Sequence, residues 1–334
     1  MKVSIRDLSK MTGFSPATIS NALNHKKGVN RETAEEIFRV ARETGYLSAN
    51  AVTKIRLVIF KKNGQILEET PFFQQMIEGI EEECHRLGYE MVISHVDQRN
   101  PNYQKQVRDL LEEQGVGIVL LGTEMMDGDL NPYRNASCPV LLLDHWTELM
   151  DFNSVLINNA DAARAITEHL LDNGHREVGY LRGNYRIKAF RSRFIGFQTA
   201  LKKYKVPYKE EYTVTVGTYM STACQDMLEY LKKKPKLPTA FFADNDIIAL
   251  GAMKALQEMG YRIPEDVSIV GFDDLTFSEI SSPPLTTLRV EKREMGKMAV
   301  RRLVELIDGI GTSTVTKIQV CPKIIYRNTV KNIK

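Results

Sequence analysis

Several side chains in this chain of 334 residues could together bind a small polar molecule. Asp144, His145 and Trp146 close one apolar run, and Asp244, Asn245 and Asp246 close another. Asp273 and Asp274 follow VSIVGF, Arg191 and Arg193 open a helical pattern, and Tyr219 follows TVTV. Phe72 and Phe73 come after the loop that leaves IRLVIF. Ring faces stack on the C–H surfaces of a polyhydroxylated ligand, while carboxylate, amide and guanidinium groups bind its hydroxyls at fixed geometry. Each residue also has a plainer use: Asp246 and Asp273 as helix or turn caps, Phe72 and Phe73 as core, Trp146 as cover for a strand end. Nothing points to catalysis. There is no G-x-S-x-G, no P-loop and no H-E-x-x-H, so an enzyme is not expected. His169 falls on a helix and His175 after its Gly174 stop, which suits capping and packing; neither a metal nor a cofactor is expected.

A different chemistry is written into Val3–Asn24, VSIRDLSKMTGFSPATISNALN. Ile5, Leu8 and Met11 recur at helical spacing, so IRDLSKMT can bury one face. Gly13 breaks that helix, Ser15 is placed to cap the next, and Pro16 sits in its first turn, where a missing N–H costs nothing. In PATISNAL, Ile19 and Leu23 point inward, leaving Ala17, Thr18, Ser20, Asn21 and Asn24 outside. Helix, glycine turn and a second helix with a small polar outer face form a helix-turn-helix. A third helix follows, RETAEEIFRVARETG, capped by Asn30, with Ala34, Ile37, Val40 and Ala41 as its buried stripe and Gly45 as its stop. The formal charge of +3 is uneven. Nine basic and five acidic residues up to Lys54 give that segment +4, leaving −1 for the remainder. A basic headpiece on a nearly neutral body suits phosphate contact.

From Ile55 onward, apolar runs alternate with helical periods: IRLVIF, YEMVIS, GIVLLG and PVLLLD, then VLIN, VGYLRG, TVTV, TAFFAD and VSIVGF, with amphipathic helices between. Such alternation implies parallel sheets covered on both faces. Two sets imply two doubly wound lobes, with ligands outside the carboxyl ends of the strands. Cys84, Cys138, Cys224 and Cys321 are scattered, with no C-x-x-C, as in a reduced cytoplasmic protein. Without an apolar leader or a run of ~18 apolar residues, neither secretion nor a membrane partner is expected.

The headpiece SIRDLSKMTGFSPATISNALN, with PFFQQMIEGIEEE, HLLDNGHREVGYLRG, RFIGFQTAL, ALGAMKALQEMGYRIPEDVSIVGFDD, PPLTTLRVEKREMGKMAV and CPKIIYRNT, resembles the lac repressor/galactose repressor family of bacterial transcription regulators over nearly the whole chain. The resemblance implies a small all-α helix-turn-helix headpiece plus an α/β periplasmic-binding-protein-like core of two doubly wound parallel-sheet lobes. It implies a headpiece over 1–47, a shortened linker over 48–54 and a core over 55–334. The N-lobe would comprise about 55–156 and 287–318, the C-lobe about 157–284 and 319–330, with crossings at Leu156–Asn159, Ser282–Thr287 and Lys317–Val320. The expected protein is a homodimeric repressor that binds a near-palindromic double-stranded DNA operator and is switched by a small effector, a sugar or sugar derivative, in the interlobe cleft. The alternative is a sugar-binding receptor without DNA regulation.

The family's DNA contacts fall on Ser15, Pro16, Ala17, Thr18, Ser20, Asn21 and Asn24. Its effector contacts fall on Phe72, Phe73, Asp144, Arg193, Tyr219, Asn245, Asp246 and Asp273. Two departures matter. Many members carry arginine at the position of Asn21. The segment Gly45–Lys54 also runs almost straight into IRLVIF, without the proline and the leucine of the usual hinge helix, so weak or absent minor-groove wedging is expected.

Overall fold

In the computed structural model, residues 3–23, 28–46, 52–68, 71–309 and 314–334 are described. The chain opens with α1 (Ile5–Thr12), started by a reciprocal cap in which Asp7 N–H donates to Ser4 Oγ and Ser4 N–H to Asp7 Oδ2. Gly13 ends it at φ +75°, a conformation other residues reach only at a cost. Ser15 Oγ accepts Thr18 N–H at 3.1 Å and so caps α2 (Pro16–Leu23). Asn30 Oδ1 accepts Thr33 N–H at 2.8 Å and caps α3 (Arg31–Glu43). Leu8, Ile19, Ala22, Ile37, Val40 and Ala41 form the core of this three-helix unit. Met11, expected on the buried face, is exposed instead, because it lies in the last turn of α1, beyond the reach of the small core.

Residues 1–63, 74–155 and 292–318 form one unit, which includes the three helices. Its sheet is built from β1 (Lys54–Lys61), β2 (Glu90–Asp97), β3 (Val116–Leu121), β4 (Val140–Leu143), β5 (Asn153–Ile157) and β11 (Lys317–Val320), in the order β11-β5-β4-β3-β1-β2. From β2 through β5 every pairing is parallel. All six residues of β3 are buried, as a central parallel strand requires. The helices of this unit are α4 (Phe72–Arg86), α5 (Tyr103–Glu112) and α11 (Lys292–Ile307). Where α4 meets α11 the backbones nearly touch: a Cβ on Gly79 would fall 2.0 Å from Arg293 O, and one on Gly296 2.2 Å from Met76 O. Both positions therefore need glycine, and the two helices are locked together.

Residues 64–73, 156–291 and 319–334 form the second unit. Its parallel sheet runs β7-β6-β8-β9, from β6 (Val178–Gly183), β7 (Thr213–Val216), β8 (Ala240–Ala243) and β9 (Ser268–Val270). Around it lie α6 (Asn159–Asp172), α7 (Lys188–Lys203), α8 (Met220–Lys232), α9 (Asp246–Glu258) and the short α10 (Thr276–Ile280). β10 (Thr287–Arg289) pairs antiparallel with β12 (Lys323–Ile325). The chain changes unit at 155/156 and 318/319, and again at 291/292 rather than within Ser282–Thr287. Pairing with β12 keeps β10 in the second unit, so the expected N-lobe segment beginning at 287 starts later. A short excursion over 64–73 was not anticipated.

Candidate functional site

The outer face of α2 is assembled by local rules. Ile19 and Ala22 are buried, Leu23 is half-buried against the same core, and Ser15, Pro16 and Ala17 are exposed. Thr18, Ser20 and Asn21 are half-buried along the same face. Asn24 lies outside the described residues. Arg6 and Lys10 of α1 are exposed and add positive charge. Not every cation of the headpiece serves that purpose. Arg39 is tied to Glu36 and Glu43, and Arg42 is buried with only 7% of its surface accessible. Small side chains, an amide and nearby cations make a surface that can approach base edges and phosphates closely.

A second group of polar residues gathers at the carboxyl ends of β6, β8 and β9. Strand order reverses between β6 and β8, the place where doubly wound sheets leave a crevice. Arg193, on α7, is buried there. Its Nε donates to Asn159 Oδ1 at 2.8 Å, Nη1 to the Asp244 carbonyl at 2.6 Å, and Nη2 lies 3.3 Å from Asp273 Oδ1. The guanidinium also sits 3.6 Å from the centre of the Phe272 ring. Asp273 has φ +116° and Asp274 φ +50°, two successive left-handed residues just past β9. Asp273 N–H donates to Leu288 O at 2.8 Å, and Asp274 is clamped by Arg289 and Arg327. These contacts hold a backbone shape that costs about 1–3 kcal/mol per residue elsewhere, and such shapes cluster at binding sites.

Asp244 is wholly buried in the same region. Its carboxylate accepts Tyr180 O–H at 2.5 Å and Gly183 N–H at 2.8 Å, and pairs with Arg186. Burial pushes its carboxyl up, against the opposing pull of Arg186 and these hydrogen bonds. The sequence marked Asp244 as a polar residue after a strand, but Arg186, Tyr180 and Asn159 gave no signal. Their roles depend on neighbours far away in the chain.

Three of the expected effector contacts, Asp246, Phe72 and Phe73, are buried. Asp246 is neither exposed nor the cap of α9: Asn245 Oδ1 caps that helix, accepting Ile248 N–H at 3.0 Å. The Asp246 carboxylate instead accepts Ser278 O–H at 2.6 Å, Leu275 N–H at 2.9 Å and Thr287 O–H at 2.5 Å, tying α9 to α10 and β10. Burial, reinforced by the charge of Asp273, pushes its carboxyl up to about 7. Phe72 and Phe73 pack edge to face at 5.1 Å, and both are buried. Tyr219 is half-buried at the start of α8.

Asp144 belongs to the first unit, at φ +56° after β4, with its Oδ2 accepting Thr123 O–H at 2.6 Å. Trp146 lies beneath Lys317, whose Nζ is 4.8 Å from the ring centre. His175 is held between Thr239 Oγ1 and Lys331 O, and His169 meets the Tyr326 ring. These are packing contacts, as their place at a helix end suggested. Among the described residues no His, Cys, Asp and Glu cluster could hold a metal ion.

Residues 167–330 match the periplasmic binding protein-like domain family. The HTH-type transcriptional repressor PurR of Mannheimia succiniciproducens is 30% identical over 333 residues, covering 98% of this chain and 99% of that one. This chain belongs to the LacI family of transcription regulators. The PurR repressor of Haemophilus influenzae (strain PittEE) is 29% identical over 334 residues, with 98% and 99% coverage. Among solved structures, the transcriptional regulator CelR in complex with cellobiose superposes with a TM-score of 0.74 at 25% identity, covering 98% of this chain and all of that one. The lac repressor dimer bound to operator and the anti-inducer ONPF gives 0.73 at 25% identity, with 99% and 100% coverage. As a LacI-family member the chain is a DNA-binding regulator and not an enzyme. The family binds DNA operators and small effectors as dimers. No described helix is long and apolar enough to cross a membrane.

Proposed function

We propose that this regulator is a cytoplasmic repressor that reads a near-palindromic operator as a homodimer, through a headpiece over 1–47 joined by a short linker, 48–54, to the core over 55–334. Ser15, Pro16, Ala17, Thr18, Ser20, Asn21 and Asn24 make its DNA contacts. A sugar or sugar derivative binds the second unit at Arg193, Asp273, Asn245 and Tyr219. The arrangement of Arg193 with Asp273 at the strand ends carries this reading: a guanidinium and a carboxylate at fixed geometry suit vicinal hydroxyls. The cellobiose complex of the related CelR regulator lends it support. A ligand with different affinity for two core arrangements shifts operator affinity by its coupling energy, about 1–3 kcal/mol or 5- to 150-fold.

The deciding experiment is selection from random duplexes by mobility shift, repeated with a panel of sugars and of planar heterocycles. A palindrome whose binding responds to one sugar is expected. A response confined to heterocycles would overturn the sugar assignment, and recovery of no palindrome would overturn the paired reading.

Asn21 sets one base. Asparagine pairs best with adenine N6 and N7, whereas arginine forks onto guanine O6 and N7. The selected half-site should therefore carry A·T opposite Asn21, and Asn21→Arg should move the preference to G·C by about 1–3 kcal/mol. Invariant G·C in the wild-type selection would refute this. DNA bending should also be smaller than in relatives with a full hinge helix. α3 ends at Glu43 and β1 already begins at Lys54, which leaves little chain for a wedge. Circular-permutation gels showing a bend as large as that of the lac repressor would count against it.

A further inference from the structure

The buried arginine of the headpiece points away from DNA and into the first unit. Arg42 Nη1 donates to the Leu87 carbonyl at 2.9 Å, and Nη2 lies 3.3 Å from Asp308 Oδ1. Its guanidinium stacks 4.0 Å from the centre of the Tyr89 ring and 5.3 Å from that of Phe38. Leu87, Gly88 and Tyr89 form the turn between α4 and β2, and Asp308 directly follows α11. The fit is close: Gly88 is at φ +72°, and a Cβ there would fall 2.8 Å from Arg39 Cγ and 3.1 Å from Arg39 Cα. At the rim, Arg86 Nη1 pairs with Glu35 Oε2 at 2.6 Å. The seat is itself rigid, because α4 and α11 are locked at Gly79 and Gly296.

Of the partners named, only Phe38 belongs to the headpiece, and neither it nor Arg42 is a member of the headpiece's core. A guanidinium stripped of water needs its donors satisfied, and here it finds them in the turn after α4 and at the end of α11. Such a group can fix orientation even where it adds little stability.

We propose that Arg42 is a positioning residue for operator reading. It docks α3 on the seat formed by Leu87, Tyr89 and Asp308, so that the headpiece moves with α4 and α11 as one body. The aim of α2 at the operator is then set by this joint, and a shift of α4 and α11 reaches the DNA through it rather than through the linker alone. The inference rests on α2 being the DNA-reading helix.

The test uses the full-length protein as wild type, Arg42→Met and Asp308→Lys. Binding is measured by fluorescence anisotropy to a duplex with one half-site, and to palindromes whose half-sites are separated in single base-pair steps. Each added base pair rotates one half-site by roughly 35° relative to the other, so a rigidly aimed pair of headpieces tolerates few spacings. For the wild type, one base pair away from the optimum should cost roughly tenfold or more; in both variants the penalty should fall below roughly threefold, with single half-site affinity unchanged within about twofold. Asp308 lies outside the headpiece, so a flattened profile in Asp308→Lys cannot come from a misfolded headpiece. A spacing profile in Asp308→Lys as sharp as the wild type's would overturn the proposal. So would an Arg42→Met protein that loses single half-site binding as much as palindrome binding, since Arg42 would then serve the headpiece's fold. A wild-type protein that binds no duplex would overturn the reading of α2, and the proposal with it.

Discussion

Arg193→Met should destabilise the protein by about 3–5 kcal/mol, the usual consequence of leaving one member of a buried ion pair without its partner. Arg193 and Asp273 are 3% and 6% exposed, so little water solvates the carboxylate when the guanidinium is gone. Methionine fills most of the volume and isolates the electrostatic loss from a cavity effect. Asn159 Oδ1 and the Asp244 carbonyl lose their donor at the same time. Urea denaturation of the full-length protein measures the change, and the double variant Arg193→Met/Asp273→Asn should recover part of it by removing the stranded charge. A loss below about 1 kcal/mol would mean that the pair is effectively solvated, as surface pairs are. Effector response, read as the change in operator affinity on adding the cognate ligand, should disappear in Arg193→Met even where the protein stays folded.

Asp246 should make the protein less stable as pH rises towards neutrality. Its carboxyl is pushed from the usual ~3.9 up to about 7 by burial and by the neighbouring Asp273. Below pH ~4 the folded and unfolded chains both hold this proton. Between there and about 7 the unfolded chain has lost it while the folded one keeps it, so unfolding releases a proton and stability falls with pH. Above that range both forms are ionised and the contribution is flat. The full span is on the order of 4 kcal/mol. Asp246→Asn removes the titration while keeping an oxygen towards Ser278 and Leu275. The stability of wild type relative to this variant should therefore decline between about pH 4 and 7 and then level off. A difference that is constant with pH, or that grows, would contradict this assignment.

The headpiece was readable because its signals are local. Gly13, Ser15 and Asn30 announce where helices stop and start within a few residues, and α1, α2 and α3 begin and end accordingly. The strands of the core were readable for a similar reason, since a run such as VGIVLL must be buried on both faces. The roles of neighbouring polar residues were not. Asn245 and Asp246 are adjacent and chemically alike, yet one caps a helix and the other is sealed in by Ser278 and Thr287, more than thirty residues on. Arg42 counted in the sequence as one more headpiece cation. Its burial depends on Leu87, Tyr89 and Asp308, which no local pattern joins to it. β10 likewise belongs to the second unit because of a partner strand at its far end of the chain.

The two faces of α2 do separate jobs, and that bears on how such a regulator can change its targets over generations. Ile19 and Ala22 hold the three helices together, while Ala17 and Asn21 lie off that core. Substitutions at those outward positions can redirect the protein to new promoters without first weakening its fold, so new targets lie within reach of single mutations. Ser15 is different. Its hydroxyl oxygen accepts the Thr18 N–H that starts the helix, and it also stands on the exposed face. Drift at that position has to satisfy structure and recognition together, which predicts a narrower choice of residues there than at Ala17 or Asn21.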